Sequence, residues 1–593
     1  MANPNAYQYR PLKRDPFEVR LVKLLPYANR TRITLHTFPL ADAPPFDALS
    51  YLWGYSDGEV QVECESAAIA VPRNLGAFLE ASQRSSNTGY LWVDAISINQ
   101  EDIHEREHGI SELGTIYRAA TRTLIWTGCE DHGPLTRFIA STLPTGKINR
   151  LVTEAFRATD IFHSAGKITR QDLREFHEFA SELSCDTQWD TCDAQWGIST
   201  RWMLQDIICS RNLLIFDGEE GIPWGHFAGA LLTWLLFNTT SSSTPSVPFV
   251  ISSEAMRRSH VGISDTRLSL PDTLSGMHSF PGSTTNPRDS VFTAYSTLKA
   301  IDPTNNVPTI DYSMTVNEVF CEAAFQLNDA SSQPLSLSLV DGARLELPSW
   351  TPDWTQHTAR FLLNHAASNF SASPYAMCEA IYRHRSTDRR QKDAPNAEVA
   401  YVCLMVDAIQ HRSGSLPPRR HCDHYAVSGA NNYFFSKWHD FAKEHSRGKR
   451  PADLVSLAYA DTIQARGCGH VWEDMEKTPE ERIQEMIDFL GFLESEDSAP
   501  IETDLIRLSY AACFPSHDRM FAITKGGRFC LVPRTAKDGD LVCIPHGSRV
   551  PYIFRQDKWG GSYQNIGEAF VHGLMHGEAG ELEPQDIRTF HLR

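Results

Sequence analysis

The chain has 593 residues, 41% of them hydrophobic, and its formal net charge at pH 7 is −18. This length predicts several folded domains, because a single hydrophobic core does not grow so large. The acidic balance disfavours a phosphate-backbone partner, so we expect no nucleic acid. The opening residues resemble no signal peptide, and the longest apolar run, 227–237, is too short to span a membrane. Thirteen cysteines scattered singly predict reduced thiols.

Residues 17–128 alternate strand-like and helix-like segments. Strands are predicted over 17–25, 31–38, 46–53, 90–98 and 121–128, a hairpin over 60–71, and helices from 72 and from about 102 to 119. Such alternation predicts an α/β sheet, mostly parallel, with covering helices. We assign this domain to residues 1–133.

The rest of the chain is predicted to divide into three parts. A helical extension covers 134–240, and the Ser, Thr and Pro-rich stretch 239–248 suits a linker. A mainly helical region follows over 251–508. Short strands separated by Gly, Pro and Asp then predict a small β-barrel or sandwich over 509–593.

The segment IHEREHG contains His104, Glu105 and His108 in the H-E-x-x-H spacing of zinc proteases. The helix periodicity predicts an apolar stripe opposite the two histidines, which consists of Ile103, Ile110, Leu113 and Tyr117. The histidines are therefore expected to face solvent or a partner, and we predict no metal site here.

A second literal match, GYSDG over 54–58, fits the nucleophile elbow of α/β-hydrolases. That elbow requires a strand, a tight turn and then a helix. The residues after Gly58 alternate like a strand instead, so we interpret Ser56 as a loop residue and expect no serine hydrolase.

Three segments of the first domain resemble the heterokaryon incompatibility, or HET, domain of filamentous fungi. They are FDALSYLWG (46–54), YLWVDAISINQEDIHER (90–106) and ISELGTIYRAATRTLIWTG (110–128). Ser97 departs from the family's cysteine, and Gly109 stands where glutamine is common. Further resemblance is found in WMLQDIICS (202–210), GIPW (221–224), PRDSVFTAYSTL (287–298), LPSWTPDW (347–354) and GEAFVHGLMHGE (567–578).

This resemblance implies a cytoplasmic fungal protein that acts, through protein partners or self-association, in non-self recognition and the cell death after hyphal fusion. The HET domain has been compared with TIR domains, whose doubly wound α/β fold hydrolyses NAD through a glutamate in its enzymatic members. The fold class implied is a TIR-like doubly wound sheet with helices, a mainly helical region and a small β-rich C-terminal domain. NAD would be a substrate, and no cofactor is required.

Asp94 ends a predicted strand, and ligands of open α/β sheets bind beyond the carboxyl ends of the strands. Asp94, Ser97, Asn99 and Gln100 are therefore candidate substrate-binding residues. The alternative is a polar loop that fastens the following helix.

Trp53 and Gly54 end another strand and could form the floor of the same crevice, unless they are a core tryptophan and a turn glycine. Arg106 lies near the apolar stripe of its helix, so we expect an acidic partner for it, with Asp94 as the candidate. The alternative is that its stem packs on the core and its head reaches water.

Glu105 has two interpretations. Asp102 as N-cap with Glu105 three residues later fits a capping box. A carboxylate at this place could also stabilise the positive charge that develops when the bond to nicotinamide breaks, which makes Glu105 the candidate catalytic residue.

The sequence thus predicts a HET-family recognition or death effector in which NAD hydrolysis is one open activity. Two alternatives stay open: a non-catalytic signalling or oligomerisation module, and a fungal enzyme that acts on another small molecule with the same fold.

Overall fold

The structure of the protein is a computed structural model. The described residues are 7–26, 30–51, 58–65, 67–84, 89–126, 201–216, 221–225, 228, 257, 269–278, 286–302, 304, 306–340, 347–356, 362–364, 370–375, 378, 380–383, 398–414, 429–448, 451–466, 481, 484, 488, 491, 512, 515–558, 560–581 and 586–593. Contacts divide the chain into two compact units. The first is Met1–Arg157 with Lys167–Asp311, and the second is Ala158–Gly166 with Tyr312–Arg593.

The first unit is built on a nine-stranded mixed sheet. Its strands are β1 Glu18–Leu24, β2 Arg32–Pro39, β3 Phe46–Tyr51, β4 Glu59–Cys64, β5 Ala67–Pro72, β6 Tyr90–Trp92, β7 Arg122–Trp126, β8 Leu213–Phe216 and β9 Gly221–Pro223. Their spatial order is β5-β4-β2-β1-β6-β3-β7-β8-β9. Besides the short β2–β4 pair, parallel pairing is confined to the run β6-β3-β7-β8. The expectation of a mostly parallel sheet is therefore corrected to a mixed sheet with a parallel centre.

The parallel run has the strand order of a doubly wound sheet. In chain order β3 is its first strand, β6 the second, β7 the third and β8 the fourth, so the spatial order is 2-1-3-4. The winding direction therefore reverses between β3 and β7. This reversal creates a switch point, where α/β sheets open a crevice at the carboxyl ends of their strands.

Helices cover both faces of this sheet. They are α1 Arg73–Arg84, α2 Asp94–Ser97, α3 Ile103–Ala119, α4 Arg201–Cys209, α5 Leu270–His278 and α6 Asp289–Ile301. Phe78 of α1 shares a buried core with Leu49 of β3. Tyr117 of α3 shares the opposite core with Ala48, the preceding residue of the same strand. Because adjacent strand residues point to opposite faces, α1 and α3 lie on opposite sides of the sheet.

Several helices and strands of the first unit begin or end where the local sequence predicts, and one does not. The predicted hairpin is confirmed as β4 and β5, and the helix predicted to about Ala119 is confirmed as α3. The strand expected over 90–98 ends at Trp92 instead. There the Asp94 carboxylate accepts a hydrogen bond from the Ala95 amide (2.7 Å), and the Ser97 hydroxyl accepts one from the Val93 amide (3.2 Å), which stabilises the short helix α2.

The second unit combines helices with a β-barrel. Its helices are α7 Val316–Ser331, α8 Leu335–Leu339, α9 Gly429–Ser446 and α10 Ala452–Ile463. Its strands are β10 Ala380–Arg383, β11 Glu398–Arg412, β12 Arg519–Thr524, β13 Phe529–Pro533, β14 Leu541–Pro545, β15 Tyr552–Gln556, β16 Tyr563–Glu568, β17 Phe570–Val571 and β18 Ile587–Leu592. The path β14-β15-β16-β18-β11 closes because β11 also pairs with β14. This closure makes a five-stranded barrel, from which β12, β13 and β17 extend.

The β-rich C-terminal region predicted from the sequence is confirmed, but two strands of its sheet, β10 and β11, lie earlier in the chain. β11 has 15 residues and lies inside the block 251–508 that we expected to be helical. It pairs with four other strands, and most of its residues are buried or half-buried. A strand buried on both faces has no polar alternation, so its apolar residues resemble a buried helix.

Within the described parts of the chain, no helix is both long and apolar enough to cross a membrane.

Candidate functional site

The candidate site lies beyond the carboxyl end of β6. Asp94 follows this strand, is half-buried, and caps the amide of Ala95. On the neighbouring strands, Tyr51 at the end of β3 and Trp126 at the end of β7 are both buried. The indole of Trp126 donates a hydrogen bond to Asn74 Oδ1 at 2.7 Å. Aromatic side chains and one carboxylate therefore mark the edge at which a doubly wound sheet binds ligands.

The loop after α2 is fastened at both ends. The Gln100 amide donates to the carbonyl of Asp94 at 3.0 Å, which closes the loop onto the end of β6. The backbone amide of Asn99 donates to Glu105 Oε1 at 2.7 Å, which ties the loop to α3. Ser97 is buried, and its carbonyl accepts from Arg20 Nη1 at 3.0 Å. The predicted site residues Asp94, Ser97, Asn99 and Gln100 therefore lie together. Contacts of the last three hold the loop in place.

Glu105 forms an ion pair with Arg20 of β1. Arg20 Nη1 lies 2.5 Å from Oε1, and Nη2 lies 3.0 Å from Oε2. The Arg20 side chain is 2% exposed and that of Glu105 is 10% exposed, so the pair is screened from solvent. A bidentate contact between a guanidinium and a carboxylate fixes the geometry of both groups. Glu105 is therefore held in one orientation between β1 and the 97–100 loop.

This arrangement corrects the capping-box interpretation. Asp102 is the N-cap of α3, as predicted, and its carboxylate accepts from the amides of His104 (3.0 Å) and Glu105 (3.1 Å). The Glu105 side chain does not return to the Asp102 amide, which donates to the Asn99 carbonyl instead. The carboxylate is turned toward Arg20 because a charged guanidinium is a stronger partner than a neutral amide.

Arg20 is a residue of the candidate site that no sequence motif contains. Its Nη2 also donates to the carbonyl of Arg10, and its guanidinium carbon lies 5.0 Å from the ring centre of Tyr9. A signal was present in the sequence, since a single arginine interrupts the apolar strand that begins at Glu18. An arginine in such a strand requires a buried acidic partner. The partner could not be named from spacing alone.

The expectation of a buried partner for Arg106 is corrected. Arg106 is exposed on the first turns of α3, so its head reaches water and a buried ion pair with Asp94 is not needed. The buried cation at this end of the helix is Arg20.

The two histidines of the zinc-like motif have different surroundings. His104 is exposed, as predicted. His108 is half-buried, with its ring 5.2 Å from that of Phe17, and burial lowers the pKa of its imidazole. The expectation that both face solvent is thus correct only for His104. Among the described residues, no group of three His, Cys, Asp or Glu side chains could hold a metal ion.

Trp53, Gly54 and Ser56 lie outside the described residues, so the predicted floor of the crevice and the nucleophile-elbow motif stay predictions.

A buried acid lies beneath the switch point. Asp206 of α4 accepts a hydrogen bond from the Ser50 hydroxyl at 2.7 Å. The Tyr117 hydroxyl donates to the Leu49 carbonyl at 3.0 Å and also interacts with Asp206. Burial raises the pKa of Asp206 well above its ordinary value. The segment 202–210 thus supplies a buried carboxyl group that contacts the carboxyl end of β3.

Gly109 and Gly114 allow α3 to pack closely. A Cβ on Gly109 would lie 2.7 Å from Ile98 Cδ1, and one on Gly114 would lie 2.4 Å from the Cβ of Ala300. The glycine at 109, noted as a departure from the family pattern, therefore has a packing reason in this chain.

A cavity of about 580 Å³ lies at the opposite edge of the sheet, where β7 and β8 begin. Arg118 lines it and donates to the last carbonyls of α6, those of Ala300 (2.7 Å) and Ile301 (2.8 Å). An arginine at a helix C-terminus is explained by the helix dipole. This cavity is therefore separate from the crevice edge that bears Asp94.

The comparisons with known proteins agree with this architecture. The sequence model of the heterokaryon incompatibility protein (HET) family matches residues 46–191, and that of the Het-6 beta-barrel domain matches residues 503–592. The chain therefore carries a region that matches the HET domain and a C-terminal region that matches the Het-6 barrel. One relative is heterokaryon incompatibility protein 6, OR allele, of Neurospora crassa, which is 21% identical over 96% of this chain and 95% of its own length. No solved structure matches the chain.

Proposed function

We propose that this chain acts in fungal non-self recognition and in the cell death that follows fusion of incompatible hyphae. The alignment with the Neurospora crassa incompatibility protein supports this role, because it runs through nearly the whole of both chains. It spans both the HET match and the barrel match. Such a protein would act in the cytoplasm, through protein partners or self-association.

We further propose that the first unit binds NAD at the switch point between β3 and β7 and hydrolyses its nicotinamide glycosidic bond. The 2-1-3-4 order of the parallel strands supports a TIR-like doubly wound sheet with a nucleotide crevice at that point. Asp94 borders this edge, and the loop that carries Ser97, Asn99 and Gln100 follows it. Asp94 and Asn99 would contact the substrate, while Ser97 and Gln100 would shape the loop.

In this proposal Glu105 stabilises the positive charge on the ribose as nicotinamide leaves. Oε1 already accepts two hydrogen bonds, from Arg20 and from the Asn99 amide. Oε2 accepts one, from Arg20, and no second donor to it lies among the described residues. A carboxylate oxygen has two lone pairs, so Oε2 retains the capacity to face a developing positive charge.

The same ion pair favours a second candidate function. Arg20 neutralises much of the charge that Glu105 would use for catalysis, and the Asn99 contact gives Glu105 a structural role in the loop. A non-catalytic signalling module needs only that role. The two candidates differ in what Glu105→Gln does, because glutamine keeps the length of the side chain and removes its charge.

The biological role is tested by replacing the gene in the source fungus. Fused hyphae between incompatible strains are scored for death with a vital dye. We expect cell death to be lost when the gene is deleted and to be restored by the wild-type gene. The variant His104→Ala, which changes an exposed neighbour of Glu105, is the control and should also restore it. Undiminished death without the chain would reject the role. Loss of death in a stably folded Glu105→Gln strain would favour catalysis over the non-catalytic module.

A further inference from the structure

Residues 7–14 run alongside the Arg20–Glu105 pair, and we call this segment the N-terminal strap. The amide of Tyr7 donates to the carbonyl of Ala68 in β5 at 3.1 Å. The hydroxyl of Tyr9 donates to the carbonyl of Ile96 in α2 at 3.0 Å. The strap is therefore fastened at one point to an edge strand and at another to the helix that precedes the candidate loop.

The strap also contacts the ion pair itself. The Tyr9 ring lies against the guanidinium of Arg20, and the carbonyl of Arg10 accepts from Arg20 Nη2. Near its end, Arg14 Nη2 donates to the carbonyl of His104 in the first turn of α3, at 3.5 Å. Burial raises the pKa of Tyr9 to about 12. The strap thus supplies two of the groups that enclose Arg20, and through Arg20 it holds Glu105.

The attachment of the strap is limited in strength. Tyr7 and Tyr9 are only partly buried, and they pack at the edge of the core rather than within it. Most of the remaining fastenings are single hydrogen bonds to backbone carbonyls, each worth about 1 kcal/mol net, or somewhat more from a charged donor. Such a segment can detach while the sheet stays folded, since local openings require far less free energy than global unfolding.

We propose that the N-terminal strap is an autoinhibitory cover that limits access to the Glu105 carboxylate. Its detachment removes the Tyr9 ring and the Arg10 carbonyl from Arg20, which exposes the ion pair to solvent and to a ligand at the crevice edge. This inference rests on the proposed function, because the cover regulates activity only if Glu105 acts in catalysis. The strap lies before residue 46, where the HET match begins.

Access to Glu105 can be measured without any assumption about the substrate. Carbodiimide-coupled labelling of carboxylates, read by peptide mass spectrometry, reports how readily each acidic side chain is reached in the full chain. Glu101 is exposed four residues before Glu105 and serves as the internal reference. We expect Glu105 to be labelled several-fold more slowly than Glu101 in the wild type, and the difference to shrink strongly in Tyr9→Ala.

Tyr9→Phe keeps the ring over Arg20 and removes only the hydrogen bond to Ile96, so it should give a smaller effect and stay folded if Tyr9→Ala does not. Tyr375→Ala removes a partly exposed tyrosine from the second unit and should leave the labelling of Glu105 unchanged. Equal labelling of Glu101 and Glu105 in the wild type would overturn the proposal. Unchanged protection of Glu105 in folded variants of Tyr9 would also overturn it.

Nicotinamide release from NAD is measured on the same samples. Faster release from the Tyr9 variants, in step with faster labelling, supports both the cover and the NAD activity. Faster labelling with no release from any folded sample supports the cover and counts against NAD hydrolysis. Release that is detectable but equal in all samples, despite faster labelling, rejects the regulatory meaning of the strap.

Discussion

The guanidinium of Arg20 and the carboxylate of Glu105 form two hydrogen bonds although 85 residues separate them along the chain. This contact joins β1 to the beginning of α3 and, through the Asn99 amide, fixes the loop at the carboxyl end of β6. The residue with the strongest claim to chemistry in the HET pattern is therefore also a structural anchor. This structural role and the proposed catalytic role can be separated by measuring stability and activity on the same variants.

Removal of Glu105 should destabilise the first unit. Glu105→Ala leaves Arg20 as a buried cation without a carboxylate, a change that costs about 3–5 kcal/mol at other buried pairs. The carbonyls of Ser97 and Arg10 remain as acceptors, so we expect a loss toward the low end of that range. Urea unfolding measures it, with exposed His104→Ala as the control. A loss no larger than that of the control would show that the pair adds no stability.

The two glycines of α3 should respond differently to alanine. Alanine favours a helix by about 1 kcal/mol over glycine. At Gly109 the new Cβ meets the end of the flexible Ile98 side chain, which can rotate away, so Gly109→Ala should be nearly neutral. At Gly114 it meets the Cβ of Ala300 in α6, which cannot move without the helix, so Gly114→Ala should lose about 1–3 kcal/mol.

Thermal unfolding checks this contrast, and Gly114→Ala combined with Ala300→Gly is the matched rescue. The double variant should recover most of the loss. If the two single variants behave alike, α3 and α6 do not pack at Gly114 as described.

Asp206 should make stability fall as pH rises above about 4. Its ordinary pKa is 3.8, and burial raises its pKa in the folded state, so above 3.8 the unfolded chain releases a proton that the folded chain keeps. The unfolded state then binds fewer protons, and stability decreases by about 1.4 kcal/mol per pH unit until the pH reaches the folded pKa. Below 3.8 both states are protonated and the effect vanishes.

Asp206→Asn removes this titration and keeps an acceptor for the Ser50 hydroxyl. Its stability relative to the wild type should therefore increase between pH 5 and pH 7, as measured by urea unfolding at several pH values. A difference that stays constant over this interval would mean that Asp206 is ionised in the folded protein.

Removal of the Glu568 carboxylate should destabilise the second unit as much as removal of a large apolar core side chain. It is fully buried and accepts hydrogen bonds from Arg519 (2.6 Å) and from the amides of Leu363 (2.7 Å) and Asn364 (3.1 Å). Glu568→Ala leaves a buried guanidinium and two amides without their acceptor, so we expect a loss of about 3–5 kcal/mol. Exposed Glu581→Ala is the control, and differential scanning calorimetry measures both. Equal melting temperatures would contradict the assigned network.

Sequence patterns predicted the features of this protein that depend on neighbours along the chain. The start of α3 follows from the Asp102 cap, and the β4–β5 hairpin follows from alternation. The Arg20–Glu105 pair and the closure of the barrel by β11 depend on contacts between distant segments, which no local period contains. The prediction of a strand over 90–98 was wrong because the Asp94 carboxylate and the Ser97 hydroxyl accept hydrogen bonds from backbone amides, which outweighs the β-propensity of the intervening apolar residues.

The sequence predicted the location of the candidate site better than it predicted the contacts of its residues. Asp94 follows its strand as expected, and the HET resemblance drew attention to Glu105. For Arg106 the alternative interpretation, a head that reaches water, is the correct one, because the apolar stripe of a helix does not show where the helix becomes exposed to solvent. The buried cation, Arg20, lies on a strand before the family's first motif.

The central claim, that the first unit cleaves NAD, is tested most directly by nicotinamide release from the purified full chain. The assay is run over a range of protein concentrations that includes self-associated forms. We predict release by the wild type and by His104→Ala, and loss of release in Glu105→Gln that exceeds its loss of folded protein. No release from folded wild-type chain at any concentration would contradict the claim.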